Sequence, residues 1–162
     1  MLRAIIVDDE EIALISLEKL LESFSEVKVL NKFNNDDELL SYIKKEKIDV
    51  AFLDIEMGKF NGLDLAEAIL SMQPTIHIVF VTAHSEYAVQ AFELNSIDYL
   101  LKPVSLKRLQ KTITRVKEKL HQSEDMYINA NLIMYSNDRL NMYSFDNKLH
   151  NIPEVECYVY EN

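Results

Sequence analysis

Three carboxylates, a hydroxyl and an ammonium in this 162-residue chain lie at or just after the ends of short apolar runs. Asp8 and Asp9 follow Ala4–Val7, Asp54 closes Val50–Leu53, Thr82 ends the run from Ile76, and Lys102 follows Asp98–Leu101. Carboxylates gathered closely repel unless a divalent cation binds or one takes up a proton. Mg²⁺ favours a few carboxylates together with water and phosphate oxygens. A carboxylate can also act as a nucleophile and become an aspartyl-phosphate. An ammonium neutralises a transferring phosphoryl group, and a hydroxyl hydrogen-bonds one of its oxygens. The set therefore describes in-line phosphoryl transfer onto Asp54. Each member alone has a plainer reading. Asp8 or Asp9 can cap the helix that follows, Lys102 can be solvated, and Asp54 can be an ordinary turn residue. The weight lies in the combination, spread over four strand ends.

The elements that must position these residues alternate in type. Ala4–Val7, Val27–Leu30, Val50–Asp54, Ile76–Thr82 and Asp98–Leu101 read as strands, as near-continuous apolar runs buried on both faces. Between them lie helical patterns. Glu10–Ser23 carries Ile12, Ile15, Leu17, Leu20 and Leu21, and Asn35 opens a helix burying Leu39, Leu40 and Ile43. Gly58 to Gly62 reads as a loop, Leu63–Met72 as a helix stopped by Pro74, and Tyr87–Leu94 as a short helix. Leu106, Leu109, Ile113, Val116 and Leu120 form a last amphipathic helix. Strand then helix, five times, predicts an α/β fold: a doubly wound, five-stranded parallel sheet covered on both faces. Ligands in such sheets collect beyond the strand carboxyl ends, where the five residues should converge.

Composition narrows the function. The formal charge is −10, with 15 basic and 20 acidic residues up to Leu120 and 2 and 7 beyond, so each part is −5. Neither part has the basic surface expected of a nucleic-acid binder. Cys157 is the sole cysteine, which excludes an internal disulfide and a Cys-rich zinc site. His77, His84, His121 and His150 form no i, i+4 pair. No apolar stretch approaches the ~20 residues that span a bilayer, and the first residues are too short for a signal-peptide core. A cytoplasmic location, with no membrane partner, is the expectation. No Gly-rich loop follows the first strand, and Asp8-Asp9-Glu10-Glu11 would repel a pyrophosphate, which argues against nucleotide binding.

Four blocks carry a family resemblance: Val7-Asp8-Asp9-Glu10, Phe52-Leu53-Asp54-Ile55, Val81-Thr82-Ala83 and Asp98-Tyr99-Leu100-Leu101-Lys102-Pro103. In order and spacing they resemble the receiver domain of bacterial two-component response regulators over residues 1–120, a flavodoxin-like fold. The resemblance implies Asp54 as phosphoacceptor from the phosphohistidine of a sensor histidine kinase. It implies Asp9, with Asp8 and Asp54, and the backbone carbonyl of Glu56 as the protein's Mg²⁺ ligands. Thr82 and Lys102 would contact the phosphoryl group, and Lys102–Pro103 would be a cis peptide, which proline tolerates. It implies a switch in which Thr82 moves toward the phosphoryl group and Tyr99 rotates inward. The plainer reading of Tyr99 is a half-buried aromatic with its hydroxyl in water. Activity would be limited to Mg²⁺-dependent self-phosphorylation and self-dephosphorylation, with no metabolite turned over. Phosphorylation would promote a homodimer through Tyr87, Val89, Gln90 and Phe92 and the basic strip Lys107, Arg108, Lys111 and Arg115. That strip also reads simply as a solvated helix face.

The chain departs from the family pattern where a Pro usually follows Met57: Gly58 stands there and should loosen the loop. Glu56 and His84 flank the path of water to Asp54 and should tune hydrolysis of the acyl phosphate. Two other function classes stay in view. A receiver-like scaffold would bind partners without phosphorylation, against which the complete acid–Asp–Thr–Lys set argues. A haloacid-dehalogenase-type phosphatase would want an Asp two residues after the nucleophile, where this chain has Glu56.

Residues 121–162 read as an acidic extension. Met126–Met134 and Leu140–Phe145 look like short strands around the turn signals Ser136-Asn137-Asp138 and Asp146-Asn147. A small antiparallel sheet, a disordered tail and a truncated effector all fit. No helix-turn-helix pattern is present, so no direct nucleic-acid binding is expected of this chain; if the natural protein is longer, nucleic-acid binding and transcriptional output would reside in its further part.

Overall fold

The computed structural model describes residues 1–58 and 60–137. One compact unit spans Met1–Lys117, and a second begins at Glu118. In the first, the described residues form, in order, β1 (Leu2–Val7), α1 (Glu11–Leu21), β2 (Val27–Phe33), α2 (Asp36–Ile43), β3 (Val50–Leu53), β4 (Glu56–Met57), β5 (Phe60–Asn61), α3 (Gly62–Met72), β6 (His77–Thr82), α4 (Ala88–Glu93), β7 (Asp98–Leu101) and α5, which begins at Leu106.

Five strands form one sheet in the order β2-β1-β3-β6-β7, and every neighbouring pair is parallel. Their sequences dictate this. β3 is buried at all four positions and β6 at five of six, so neither face of the central strands can meet water. The order reverses between β1 and β3, which makes their carboxyl ends the switch point of the sheet. Phe33, Leu39, Ile43, Ile48, Leu53, Phe80 and Ile69 pack one continuous core.

The helices start where capping chemistry allows. Asn35 Oδ1 accepts the Glu38 N–H at 3.0 Å and opens α2. Asn61 Oδ1 accepts the Leu63 N–H at 2.9 Å and opens α3. Leu109, Ile113 and Val116 bury the inner stripe of α5. Asp98, at the start of β7, ties that helix down. Its buried carboxylate takes Arg108 at 2.5 and 2.6 Å, Arg115 at 3.0 Å, the Thr112 hydroxyl at 2.8 Å and the Tyr99 N–H at 2.9 Å. Burial alone would raise its proton affinity; the bonds from Arg108, Thr112 and Tyr99 outweigh this and hold the carboxyl below its ordinary range.

Three expectations change. The Gly58–Gly62 segment, expected as a loop, carries a two-residue antiparallel ladder in which Glu56 pairs with Asn61 and Met57 with Phe60. Arg108, expected on a solvated strip, is half-buried against Asp98; Arg115 also reaches Asp98 but stays exposed, as do Lys107 and Lys111. The strand expected over Met126–Met134 is helical, because α5 runs to Asn137. Ile128, Leu132 and Tyr135 also have helical spacing. Extending an existing helix avoids the cost of a new nucleus. The strand expected over Leu140–Phe145 lies outside the described residues.

Asp98→Ala should lower the unfolding free energy by about 2–3 kcal/mol, less than a fully buried pair because Arg108 and Arg115 are partly exposed. Because its folded-state pKa is depressed, the wild-type contribution is present above the unfolded value and is lost as pH falls through the folded one. Urea unfolding from neutral pH into the acid range should show the gap between wild type and variant closing; a pH-independent gap would contradict this role.

Candidate phosphoacceptor site

Backbone ladders that continue one residue past the strands place the site. The Asp8 N–H donates to the Phe33 carbonyl at 3.1 Å and the Asp54 N–H to the Val7 carbonyl at 2.9 Å. The Lys102 N–H donates to the Thr82 carbonyl at 2.8 Å. Each functional residue is thereby fixed to the strand beside it, at the carboxyl edge. Four of the five converge as expected: Asp8, Asp9 and Asp54 present carboxylate oxygens within 4.8 Å of one another, and Lys102 joins them. Asp8 and Asp54 are buried, and Asp9 is exposed.

Lys102 Nζ lies 2.7 Å from an Asp54 oxygen and 2.7 Å from an Asp8 oxygen. The other Asp54 oxygen accepts the Ile55 N–H at 2.6 Å, and Asp8 accepts the Glu10 N–H at 3.0 Å. The helix-cap reading of Asp8 is not met: its bond closes a turn onto Glu10, and α1 has no side-chain cap. Burial pushes the Asp8 carboxyl above its ordinary range, against the opposing pull of Lys102 and Glu10. Burial also disfavours the Lys102 ammonium, but its bonds to Asp54 and Asp8 prevail and raise its pKa. One ammonium among three acids leaves the cluster short of positive charge. A small oxygen-seeking cation fits this donor set, with Asp9 on the open side. The Lys102–Pro103 peptide is cis.

Thr82 is fully buried, and its hydroxyl oxygen accepts the His84 N–H at 3.3 Å. The Tyr99 hydroxyl is not left to water: it donates to the His84 carbonyl at 2.5 Å, and its ring lies 6.4 Å from that of Phe80. Glu56 and His84 meet across the mouth of the site, with His84 Nε2 3.0 Å from a Glu56 oxygen. The Tyr87 hydroxyl donates to the other Glu56 oxygen at 2.8 Å.

Gly62 and Tyr87 escape the sequence reading of the site, which names Gly58 only as loosening its loop. Gly62 N–H donates to the Ile55 carbonyl at 2.7 Å, and a Cβ at Gly62 would come 1.9 Å from the Asp54 carbonyl oxygen. Only glycine lets α3 start against the Asp54 backbone. Gly58 has φ of +53°, the left-handed region, and a Cβ there would sit 3.5 Å from an Asp9 oxygen. The signal was available: these are the chain's only two glycines, both within eight residues of Asp54. From sequence, Tyr87 is placed only on the dimer face; nothing in the sequence pairs it with Glu56.

The family model for the response regulator receiver domain matches residues 4–114. The chain belongs to this family. It is 39% identical over 125 residues to the sensory transduction protein LytR of Staphylococcus haemolyticus, covering 77% of this chain and 49% of that protein. It is 39% identical over 118 residues to the transcriptional regulatory protein BtsR of Salmonella typhi, covering 73% and 49%. The response regulatory domain of mrkE from Klebsiella pneumoniae has the same fold, with a TM-score of 0.69 and 33% identity over 75% of this chain and 99% of that one. The receiver thus spans about half the length of these curated relatives. Among the described residues, no helix is long and apolar enough to cross a membrane.

Gly62→Ala should cost about 2 kcal/mol or more of stability, as overpacking against backbone does, whereas the helix-propensity gain of Ala alone predicts about 1 kcal/mol of stabilisation. Denaturant unfolding decides the sign.

Proposed function

We propose that this receiver accepts a phosphoryl group on Asp54 from the phosphohistidine of a sensor histidine kinase and changes its interaction surface in response. The observation that carries the proposal is the position of Asp54, one oxygen on Lys102 and its carboxylate beside those of Asp8 and Asp9. An Asp54 oxygen attacks phosphorus, the bond from phosphorus to the imidazole nitrogen breaks, and the leaving imidazole takes up a proton. Lys102 stays beside the oxygens as charge passes to the leaving group, and the Thr82 hydroxyl lies at the same edge to bond one of them. Asp8, Asp9, Asp54 and the Glu56 carbonyl would hold Mg²⁺, which supplies charge neutralisation to the phosphoryl oxygens. The chain turns over no metabolite in this reading, only its own phosphoryl group.

The output follows from surface change. Val89 is 70% and Phe92 81% exposed on α4, beside the Tyr99 strand, and this face would bind a second copy after phosphorylation. The relative BtsR is named a transcriptional regulatory protein. Its length leaves about half of that protein unmatched by this chain. We place transcriptional control, and any contact with nucleic acid, in such a further part, working in the cytoplasm.

Two results are expected. Incubation with Mg²⁺ and a small acyl-phosphate donor should add one phosphoryl mass to the intact protein, abolished by chelation and by Asp54→Asn. A folded protein with no adduct would favour the scaffold reading. Beryllofluoride with Mg²⁺ should raise the dimer fraction in sedimentation runs over a range of concentrations, and Phe92→Asp should abolish that rise; an unchanged distribution would remove the dimer from the proposal.

A further inference from the structure

Asn61 and Gly62 form the chain's only Asn-Gly pair. Two demands of the fold create it. The first turn of α3 needs a capping side chain, and Asn61 Oδ1 supplies it by accepting the Leu63 N–H at 2.9 Å. The next residue must be glycine, because a Cβ there would come 1.9 Å from the Asp54 carbonyl oxygen and 2.8 Å from the Ile55 Cα. A carboxamide is thereby followed by a backbone nitrogen that no side chain shields. Glycine also leaves that backbone free to reach conformations other residues rarely adopt. Such a nitrogen can attack the carboxamide carbon.

In the closed structure the attack is blocked. The Gly62 N–H is engaged by the Ile55 carbonyl at 2.7 Å, and the Asn61 carboxamide is held in its cap. The Asn61 ψ of 123° also turns the Gly62 nitrogen away from the Asn61 side chain. The guard is slight. Asn61 is exposed, and it stands on a ladder of only two residue pairs, Glu56 with Asn61 and Met57 with Phe60. So short a ladder has little stability of its own, and opening it locally costs far less than unfolding the sheet.

We propose that Asn61 is a site of spontaneous deamidation, reached when the β4–β5 ladder opens, and that its isoaspartyl product disrupts the start of α3. The Gly62 nitrogen bonds to Asn61 Cγ and gives up its proton, and the side-chain amide leaves as ammonia. Water then opens the cyclic imide. Breaking the bond from nitrogen to Cγ gives aspartate. Breaking the bond from nitrogen to the Asn61 backbone carbonyl carbon gives isoaspartate, in which the main chain runs through the former side chain. Aspartate keeps the cap. Isoaspartate lengthens the main chain by a methylene, where Gly62 already meets the Asp54 backbone too closely for a Cβ. That insertion breaks the cap and the Gly62–Ile55 bond. The reaction needs only the chain and water, and it is independent of phosphoryl transfer.

The test ages the full chain at mildly alkaline pH, folded and in urea, and follows Asn61 by peptide mapping with mass spectrometry. An isoaspartyl methyltransferase distinguishes isoaspartate from aspartate. Asn61 should convert about twenty-five-fold more slowly in the folded chain than in urea, fivefold for each of the two guarding hydrogen bonds, with isoaspartate among the products. Equal rates would overturn the guard. An Asn61 that stays intact in the folded chain while the urea sample is consumed would overturn the site. Stability supplies the second readout. On ageing, the melting temperature of wild type should fall, and that of Asn61→Gln, which shares every other asparagine, should hold. The same change in both would overturn the effect on α3.

Discussion

Lys102 Nζ stands 2.7 Å from oxygens of both Asp8 and Asp54. Two carboxylates buried on adjacent strands are unfavourable neighbours in a poorly solvated place, and a single ammonium cannot satisfy three acids. The site is therefore assembled with a deficit of positive charge, fixed in place by the sheet. Relaxing that deficit by letting the acids move apart would break the Asp54–Val7 and Asp8–Phe33 backbone bonds that extend the ladders. The rest of the site follows from this constraint. The open acid, Asp9, faces solvent where a cation can enter, and the loops after β3 and β6 must fold back over a cluster that they cannot neutralise.

Rigidity and mobility are divided accordingly. Phe52, Phe80, Leu53 and Ile5 are fully enclosed, and a close-packed core does not deform smoothly. Movement is left to elements held by polar contacts at the edge. Tyr99 is half-buried between the two regimes, its ring against Phe80 and its hydroxyl on a loop carbonyl. Asp98, one residue earlier, is fixed by Arg108 and Thr112. The strand start is therefore anchored to α5 while the next side chain remains answerable to the β6–α4 loop.

The sheet was legible because its strands are short, apolar and buried on both faces, a pattern that only a covered parallel sheet satisfies. The site was legible for a related reason: strand ends are where such sheets expose polar groups, so Asp8, Asp54, Thr82 and Lys102 could be aligned without coordinates. What escaped was whatever depends on the distance between loops. Gly62 looked like a turn residue, and only the 1.9 Å approach of a hypothetical Cβ to Asp54 reveals why it is glycine. Arg108 and Arg115 have the spacing of a solvated face, and the competing pull of Asp98 cannot be read from their own helix. The segment at Met126–Met134 carries both periodicities, and the helix already running through Leu120 decides between them.

The energetics of the proposed switch are modest on both sides. A net hydrogen bond is worth about 1 kcal/mol, and moving a two-state equilibrium from one extreme to the other takes about 5.5 kcal/mol. In the proposed function, phosphorylation at Asp54 would reach Tyr99 through Thr82 and the β6–α4 loop, a path of few bonds. Such a path cannot supply the whole range unless the resting equilibrium already lies near balance. The contacts of Glu56 with His84 and Tyr87 bear on the same loop and are of the same order as any one of those bonds. Residues at the rim of the site would then weigh on the proposed switch as much as those that would hold the phosphoryl group.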